Sequence, residues 1–311
     1  MYIPILVLLI VFLIMLIFGL LLKKYFKKKP TKVESEEIIK TPKNPKIEFI
    51  DQDYFNYIVD NAQYFNRMNE LDLIARDASN INSYKKLYKD GYKGFSDMER
   101  NILISLTNKL NDILKDKCKN IYSIPWKFAK LDYNLEKGYP HTHSDVIVLT
   151  TVFFGLDKLI MLETLLHEKI HVYQRLYPLY TQNLISLWNF KLIDRFENYK
   201  DARNNPDINN FVYSQTNSDK AFLQVYNSPQ PTSISDSAVY FYIIKSKDEK
   251  QKENIVTKQN LNIPDIVTQY EHPYEIMATF LPKIIIHNYN DGSKDGSNFT
   301  KDTFIWLDTH S

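Results

Sequence analysis

The five residues from His167 to His171, which read HEKIH, constrain the fold of this chain more than any other segment. Residues four positions apart lie on one face of an α-helix, so both imidazoles can reach a single metal ion if the segment is helical. Glu168 then lies beside that face, where its carboxylate can accept a proton from a metal-bound water. With 7 histidines in the chain, a chance HExxH is expected only about 0.01 times. The motif therefore predicts a Zn²⁺ site on a helix.

The segments around the motif fit a helix that follows a strand. Val146 to Phe154 is rich in β-branched and aromatic residues, which predicts a strand. Leu159 to Tyr177 then predicts a helix, which ends before Pro178. The remaining predicted elements are helices over most of 52–117 (clearest from Met98 to Lys115), strands at 221–226 and 238–245, a helix from Pro273 to Leu281 that ends before Pro282, and a loop-like tail from Asp291.

The third metal ligand has to come from elsewhere in the chain, because catalytic zinc normally takes three protein ligands and keeps one position for water. The segment EHPYEIMA at 271–278 is the best source. Pro273 favours a helix start, which places Glu275 in the first turn. A first-turn glutamate also suits the helix dipole without any metal, but the need for a third ligand favours Glu275 as that ligand. Glu271 and His272 are the alternatives.

HEKIH followed by HPYEIMA resembles the gluzincin group of zincin metallopeptidases, which have HExxH on one helix and a glutamate on a second. The resemblance extends from the 146–154 strand through the two helices. Two departures are His272, where asparagine is common, and the 103 residues between His171 and Glu275. The resemblance implies a zincin-like domain, Zn²⁺ held by His167, His171 and Glu275, and a polypeptide substrate.

The implied activity is zinc-dependent hydrolysis of peptide bonds. Zinc lowers the pKa of its bound water towards about 7, and Glu168 takes the water proton and passes it to the leaving amine. The alternative is a catalytically silent zincin-fold module with a structural or interaction role at a membrane. The intact Glu168 favours the enzyme, because a zinc site without turnover has no need of a base.

Two further histidines precede the predicted strand. His141 and His143 are two positions apart, so on an extended chain they point the same way. In zincins the strand before the HExxH helix edges the active cleft, which makes the pair a candidate for substrate binding, for oxyanion stabilisation or for a second metal. An ordinary exposed pair after Pro140 is the other interpretation. Tyr274 is a further candidate oxyanion donor, as is Tyr213.

The N-terminal residues predict a membrane anchor. Tyr2 to Leu22 is a nearly unbroken apolar run without charge, and as a helix it would be about 31 Å long, which matches a bilayer core. It lacks the basic start and the cleavage site of a signal peptide, so we expect an uncleaved anchor in a lipid bilayer. Five of the residues 23–29, directly after this run, are lysines. Because positive charge favours the cytosolic side of a membrane, we expect the rest of the chain on that side or inside a virion.

These observations together predict the fold class α+β, with a zincin-like metallopeptidase domain behind a single N-terminal transmembrane helix. The expected divisions are an anchor at 1–22, a basic flexible tether at 23–46 and the metallopeptidase domain at 47–311. The anchor and the lysine-rich composition also resemble membrane proteins of large DNA viruses. Nucleic acid is not an expected partner, because 39 Lys and Arg nearly balance 37 Asp and Glu. The lone Cys118 agrees with a reducing compartment.

Overall fold

Two five-stranded β-sheets organise the residues that the structure, a computed structural model, describes. Those residues are 44–132, 134–216, 218–246, 249–288 and 298–310, and they belong to one unit that spans Lys43–Ser311. The strands are β1 (Ile47–Phe49), β2 (Tyr92–Lys93), β3 (Trp126–Leu131), β4 (His141–His143), β5 (Val146–Thr150), β6 (Phe190–Arg195), β7 (Phe211–Gln215), β8 (Lys220–Tyr226), β9 (Ser237–Ile244) and β10 (Lys250–Ile255). The helices are α1 (Gln52–Asn61), α2 (Gln63–Asn66), α3 (Glu70–Ile74), α4 (Ile81–Asp90), α5 (Asp97–Lys117), α6 (Lys119–Ser123), α7 (Lys158–Leu176), α8 (Pro178–Leu187), α9 (Pro273–His287) and α10 (Asn298–His310).

The first sheet has the order β1-β3-β5-β4, and β2 also pairs with β3. β1, β3 and β5 run parallel, whereas β4 pairs antiparallel with β5 at the edge of the sheet. All residues of β5 are buried, which explains why its first four residues are apolar, because a strand covered on both faces favours apolar side chains. The helices α1 to α6 lie between β1 and β3 in the sequence, whereas β3 and β5 are joined through the antiparallel strand β4.

Helix α7 carries the HEKIH segment and contacts β4, β5 and α9. Its N-terminus is capped by Asp157, whose side chain accepts a hydrogen bond from the amide of Leu159. Pro178 begins the next helix, because its ring fits a first helical position. The structure therefore confirms the predicted helix to within a residue at each end. The helix that carries the motif packs against α9.

Helix α9 carries Glu275 in its first turn, as predicted. His272 caps it with a side chain that accepts from the amide of Tyr274. The predicted end of this helix at Leu281 is wrong, because the helix continues through Pro282. Every residue from Pro273 to Pro282 is buried, and this packing on all sides retains the helix beyond a proline that would otherwise break it.

The second sheet has the order β10-β9-β8-β7-β6 and is antiparallel throughout. It is built from the long segment between the two motifs. β8 and β9 confirm the strands predicted at 221–226 and 238–245. Between β6 and β7 the chain leaves this sheet, and the loop Arg203–Asp207 reaches the first sheet, where Asp207 bonds to Thr142 of β4.

Two local predictions are wrong. The strand predicted from Val146 to Phe154 ends at Thr150, and Thr151–Gly155 forms a short 3₁₀ helix. The tail predicted as loop-like from Asp291 ends in α10, while residues 289–297 lie outside the part of the chain that the structure describes. The helix forms because its large apolar residues, among them Trp306, are buried where α10 packs against α8.

The predicted fold class also needs correction. The described residues form a mixed α/β fold, and none of their helices is both long and apolar enough to cross a membrane. The physical reason is charge and length: α5 and α7 are long but carry several charged residues, whereas α9 is strongly apolar but has only 15 residues. The anchor predicted at 1–22, and the tether up to residue 43, lie outside the described residues.

Candidate metal centre

Helices α7 and α9 bring His167, His171 and Glu275 together. The two Nε2 atoms of the imidazoles are 3.0 Å apart. Oε2 of Glu275 lies 3.4 Å from Nε2 of His167 and 3.3 Å from Nε2 of His171. These three side chains offer their ligand atoms within 4.8 Å of one another and therefore form a triad that could hold a metal ion.

The surroundings of the triad fit a bound cation. Glu275 is only 2% exposed, and no hydrogen-bond donor among the described residues satisfies its Oε2. A buried carboxylate oxygen without a partner is costly, and two imidazole nitrogens in contact need a shared proton or a cation between them. Three lone pairs that converge on one point are the donor set of a His₂Glu metal site. A single bound cation would therefore give a partner to both imidazole Nε2 atoms and to Oε2 of Glu275.

Gln174 fixes the orientation of His171 and joins the two helices. Its Nε2 donates to the backbone carbonyl of Tyr274 at 2.9 Å, so its Oε1 is the atom that faces Nδ1 of His171, also at 2.9 Å. Because an amide oxygen only accepts, Nδ1 of His171 carries the proton and donates. The lone pair of Nε2 is therefore directed at the triad, which is the tautomer that a metal ligand requires.

The charges around the triad shift the titration of its members. Burial opposes the ionised form of Glu275, but positive charge on His171, and to a smaller extent on His167, holds the pKa of Glu275 well below its ordinary value. Burial also opposes the protonated form of His171, whereas the charges of Glu275 and Asp207 outweigh it and raise the pKa of His171. Both directions describe a carboxylate that stays ionised and attracts positive charge to this point.

Glu168 is the candidate base and lies in the same cleft. It is 2% exposed, and its Oε2 has no hydrogen-bond partner within the described part of the chain. Burial raises the pKa of Glu168 well above its ordinary value, and the nearby charges of Asp207 and Glu275 raise it further. A carboxylate with a raised pKa is a stronger proton acceptor than an ordinary glutamate, which is what general-base chemistry near neutral pH requires.

The triad opens onto a cleft of about 540 Å³. One wall comes from α7 and α9, and another comes from the Arg203–Asp207 loop and from Gln224 of the second sheet. The volume is in the range of pockets that bind small molecules or a few residues of a polypeptide. The titratable residues that line the cleft include His141, His167, Glu168, Asp207, Glu271 and Glu275.

The structure places His141 and His143 near each other but outside the triad. His141 lines the cleft, yet its Nε2 contacts the hydroxyl of Tyr88 at 3.0 Å and its Nδ1 contacts the carbonyl of Tyr139 at 3.0 Å. The ring of His143 packs among aromatic rings, with centroids 5.5 Å from those of Tyr64, Phe65 and Tyr88. Burial lowers the pKa of His143 well below its ordinary value, so its ring is neutral.

The alternative ligands on the second motif do not join the triad. Nδ1 of His272 accepts from the amide of Tyr274 at 3.1 Å, and its Nε2 donates to the carbonyl of Phe211 at 3.2 Å, so both nitrogens are engaged. Burial lowers the pKa of His272 to about 3. Glu271 lies in the cleft wall, where burial and the charge of Glu275 raise its pKa to about 7.

The tyrosines predicted as oxyanion donors do not line the cleft. Tyr274 is buried, and its backbone carbonyl serves as the acceptor for Gln174. The hydroxyl of Tyr213 contacts the side chains of Gln182 and Asn209. Among the described residues that line the cleft, neither tyrosine occurs.

The loop Arg203–Asp207 is the part of the site that the sequence interpretation missed. Nδ2 of Asn205 donates to Oε1 of Glu275 at 2.6 Å, and Oδ1 of Asp207 accepts from the amide and the hydroxyl of Thr142, both at 2.6 Å. The sequence shows this loop only as a polar turn with Pro206. No local pattern indicates its role, because the contacts reach residues that are 65 and 70 positions away.

No protein-family model matches this chain, and no curated protein and no solved structure matches it either. The function of the site must therefore be inferred from its own chemistry. That chemistry consists of a His₂Glu donor set, a buried glutamate next to the first ligand, and a cleft that reaches both.

Proposed function

We propose that this protein is a zinc-dependent hydrolase that cleaves peptide bonds. The observation that carries the proposal is the convergence of His167, His171 and Glu275, on two different helices, with Glu168 in the same cleft. The resemblance of the two motifs to those of gluzincins supports the same conclusion. Zn²⁺ suits two imidazoles and one carboxylate, and it commonly keeps a fourth position for water in such sites.

Each of the protein groups has a defined task in this proposal. Bound zinc supplies a Lewis acid that polarises the scissile carbonyl and acidifies water. Glu168 accepts the proton of the attacking water and delivers it to the leaving amine. The buried Oε2 of Glu168 has no hydrogen-bond partner among the described residues, which leaves this oxygen available for that proton. Gln174 holds the His171 ring in the tautomer that leaves Nε2 free.

The test begins with the metal. Full-length protein purified without chelators is expected to contain about one zinc per chain by elemental analysis, because one triad supplies one ligand set. The zinc should be lost in both His167→Ala and His171→Ala. A protein without zinc, or zinc that persists in both variants, contradicts the proposal at its first step.

The second step measures hydrolysis. The protein is incubated with a proteome-derived peptide mixture, and new termini are identified by mass spectrometry. Glu168→Gln should retain zinc and lose about 10²–10⁴-fold in rate, because the amide keeps the shape of the side chain but cannot take a proton. Equal cleavage by wild type and Glu168→Gln rejects the assigned base. Full zinc with no cleavage by wild type rejects the peptidase and favours a catalytically silent zinc module.

A further inference from the structure

The loop Arg203–Asp207 contacts the candidate metal centre from a part of the chain that neither motif contains. Asn205 in this loop is 9% exposed, and its Nδ2 donates to Oε1 of Glu275 at 2.6 Å. The other carboxylate oxygen, Oε2, is the one that faces the two imidazoles. One oxygen of the Glu275 carboxylate therefore accepts from Asn205, and the other is left to face the two imidazoles.

The orientation of the Asn205 amide is itself fixed. Its Oδ1 accepts from the backbone amide of Asp207 at 2.9 Å, so its Nδ2 is the atom that faces Glu275. The loop is also tied down on both sides of this contact. The carbonyl of Pro206 accepts from Nη2 of Arg175 at 2.8 Å, and Asp207 accepts twice from Thr142. A donor held this firmly can orient a carboxylate that would otherwise rotate.

We propose that Asn205 is a positioning residue that holds Glu275 with one oxygen directed at the metal. The proposal rests on the metal site of the proposed function and assigns a role to the segment between the motifs. This segment supplies the hydrogen bond that orients Glu275, so the geometry of the metal centre depends on a residue outside both motifs. Partners of this kind, which hydrogen-bond a ligand rather than the metal, typically alter metal affinity by about 10–100-fold.

The loop offers a matched control in the adjacent residue. Asn204 is also buried, and its Nδ2 donates to the carbonyl of Arg67 at 2.5 Å and to Asp72 at 2.8 Å. These contacts hold the loop to α3 and the residues before it and do not touch the triad. Asn204→Ala therefore removes hydrogen bonds of similar number and burial but leaves the bond between Asn205 and Glu275 in place.

The experiment compares full-length wild type, Asn205→Ala and Asn204→Ala in three measurements. Zinc Kd is measured by competition with a chromophoric chelator, the visible absorption of the Co²⁺-substituted protein reports the ligand geometry, and urea unfolding gives the stability of the metal-free protein. Asn205→Ala is expected to raise the zinc Kd about 10–100-fold and to change the Co²⁺ spectrum. Asn204→Ala should lower metal-free stability but leave Kd within about twofold and the spectrum unchanged, because it lies outside the contacts of the metal ligands.

Two outcomes overturn the inference. One is an Asn205→Ala protein that binds zinc with the wild-type Kd and the wild-type Co²⁺ spectrum. The other is an Asn204→Ala protein whose Kd rises as much as that of Asn205→Ala, which would make loop stability the cause. If wild type itself binds no zinc, the proposed function fails first, so the two failures are distinguishable.

Discussion

The buried ion pair between Arg76 and Glu136 gives a prediction whose size follows from the structure. Nε and Nη2 of Arg76 donate to Oε1 and Oε2 of Glu136, both at 3.1 Å, and both side chains are almost fully buried. Oε1 of Glu136 also accepts from the hydroxyls of Tyr64 and Tyr84. Burial opposes ionisation, but the Arg76 guanidinium outweighs it and lowers the pKa of Glu136 from 4.5 to about 2.

The magnitude follows from that shift. Each pKa unit corresponds to about 1.4 kcal/mol, so ionised Glu136 stabilises the fold by about 3 kcal/mol at neutral pH. The same size is expected when one partner of a buried pair is removed. Because the pKa is lower in the folded state, this stabilisation is fully present above pH 4.5 and is lost as the pH falls towards about 2. Glu136→Gln should therefore lower the free energy of unfolding most at neutral pH.

Urea unfolding followed by tryptophan fluorescence, at a series of pH values from 7 down to 2.5, measures this effect. The difference between wild type and Glu136→Gln should be about 3 kcal/mol at pH 7 and should shrink steadily below pH 4.5. Asp90→Asn is the control, because Asp90 forms an exposed ion pair with Lys86 and should contribute less than about 1 kcal/mol. A Glu136→Gln difference that is as small as the control, or that does not change with pH, refutes the reasoning.

Three further predictions concern the metal centre. Glu275→Ala should weaken zinc binding in a chelator competition far more than Glu271→Ala, since Glu271 lines the cleft without joining the triad; the reverse order would show that the wrong carboxylate was assigned. Gln174→Ala should raise the zinc Kd by about 10-fold or more, because His171 loses the acceptor that fixes its tautomer; an unchanged Kd would exclude that role. His143→Phe should retain full zinc by elemental analysis, since the ring packs among aromatic side chains; loss of metal would place this histidine in the site.

The sequence predicted the parts of the site that depend on local pattern. His167 and His171 lie on one helical face because the helix repeat requires it, and this follows from five consecutive residues. Glu275 was predicted from a different argument, namely a proline that starts a helix and a metal that needs a third ligand. The structure brings these three residues together, and the bounds of α7 differ from the prediction by a single residue at each end.

The parts that the sequence did not reveal depend on distant contacts. Asn205 lies 70 residues from Glu275, and Asn204 lies 132 residues from Asp72. Such pairs are set by how two sheets and their loops pack, and no periodicity encodes them. The continuation of α9 through Pro282 was missed for the same reason, because burial on all sides overrides a local preference. The contact between His141 and Tyr88 likewise joins residues 53 positions apart, so no local pattern indicates it.

The contacts of Thr142 have a consequence for how other chains can approach this domain. An edge strand offers unpaired backbone groups to which a foreign strand can add, and proteins commonly block that route. Here the backbone amide of Thr142 donates to Oδ1 of Asp207, and the backbone carbonyl of Thr142 accepts from Nη2 of Arg175 at 3.3 Å. An extended polypeptide therefore cannot extend the first sheet at the centre of β4. This position of the edge strand is therefore protected against strand addition.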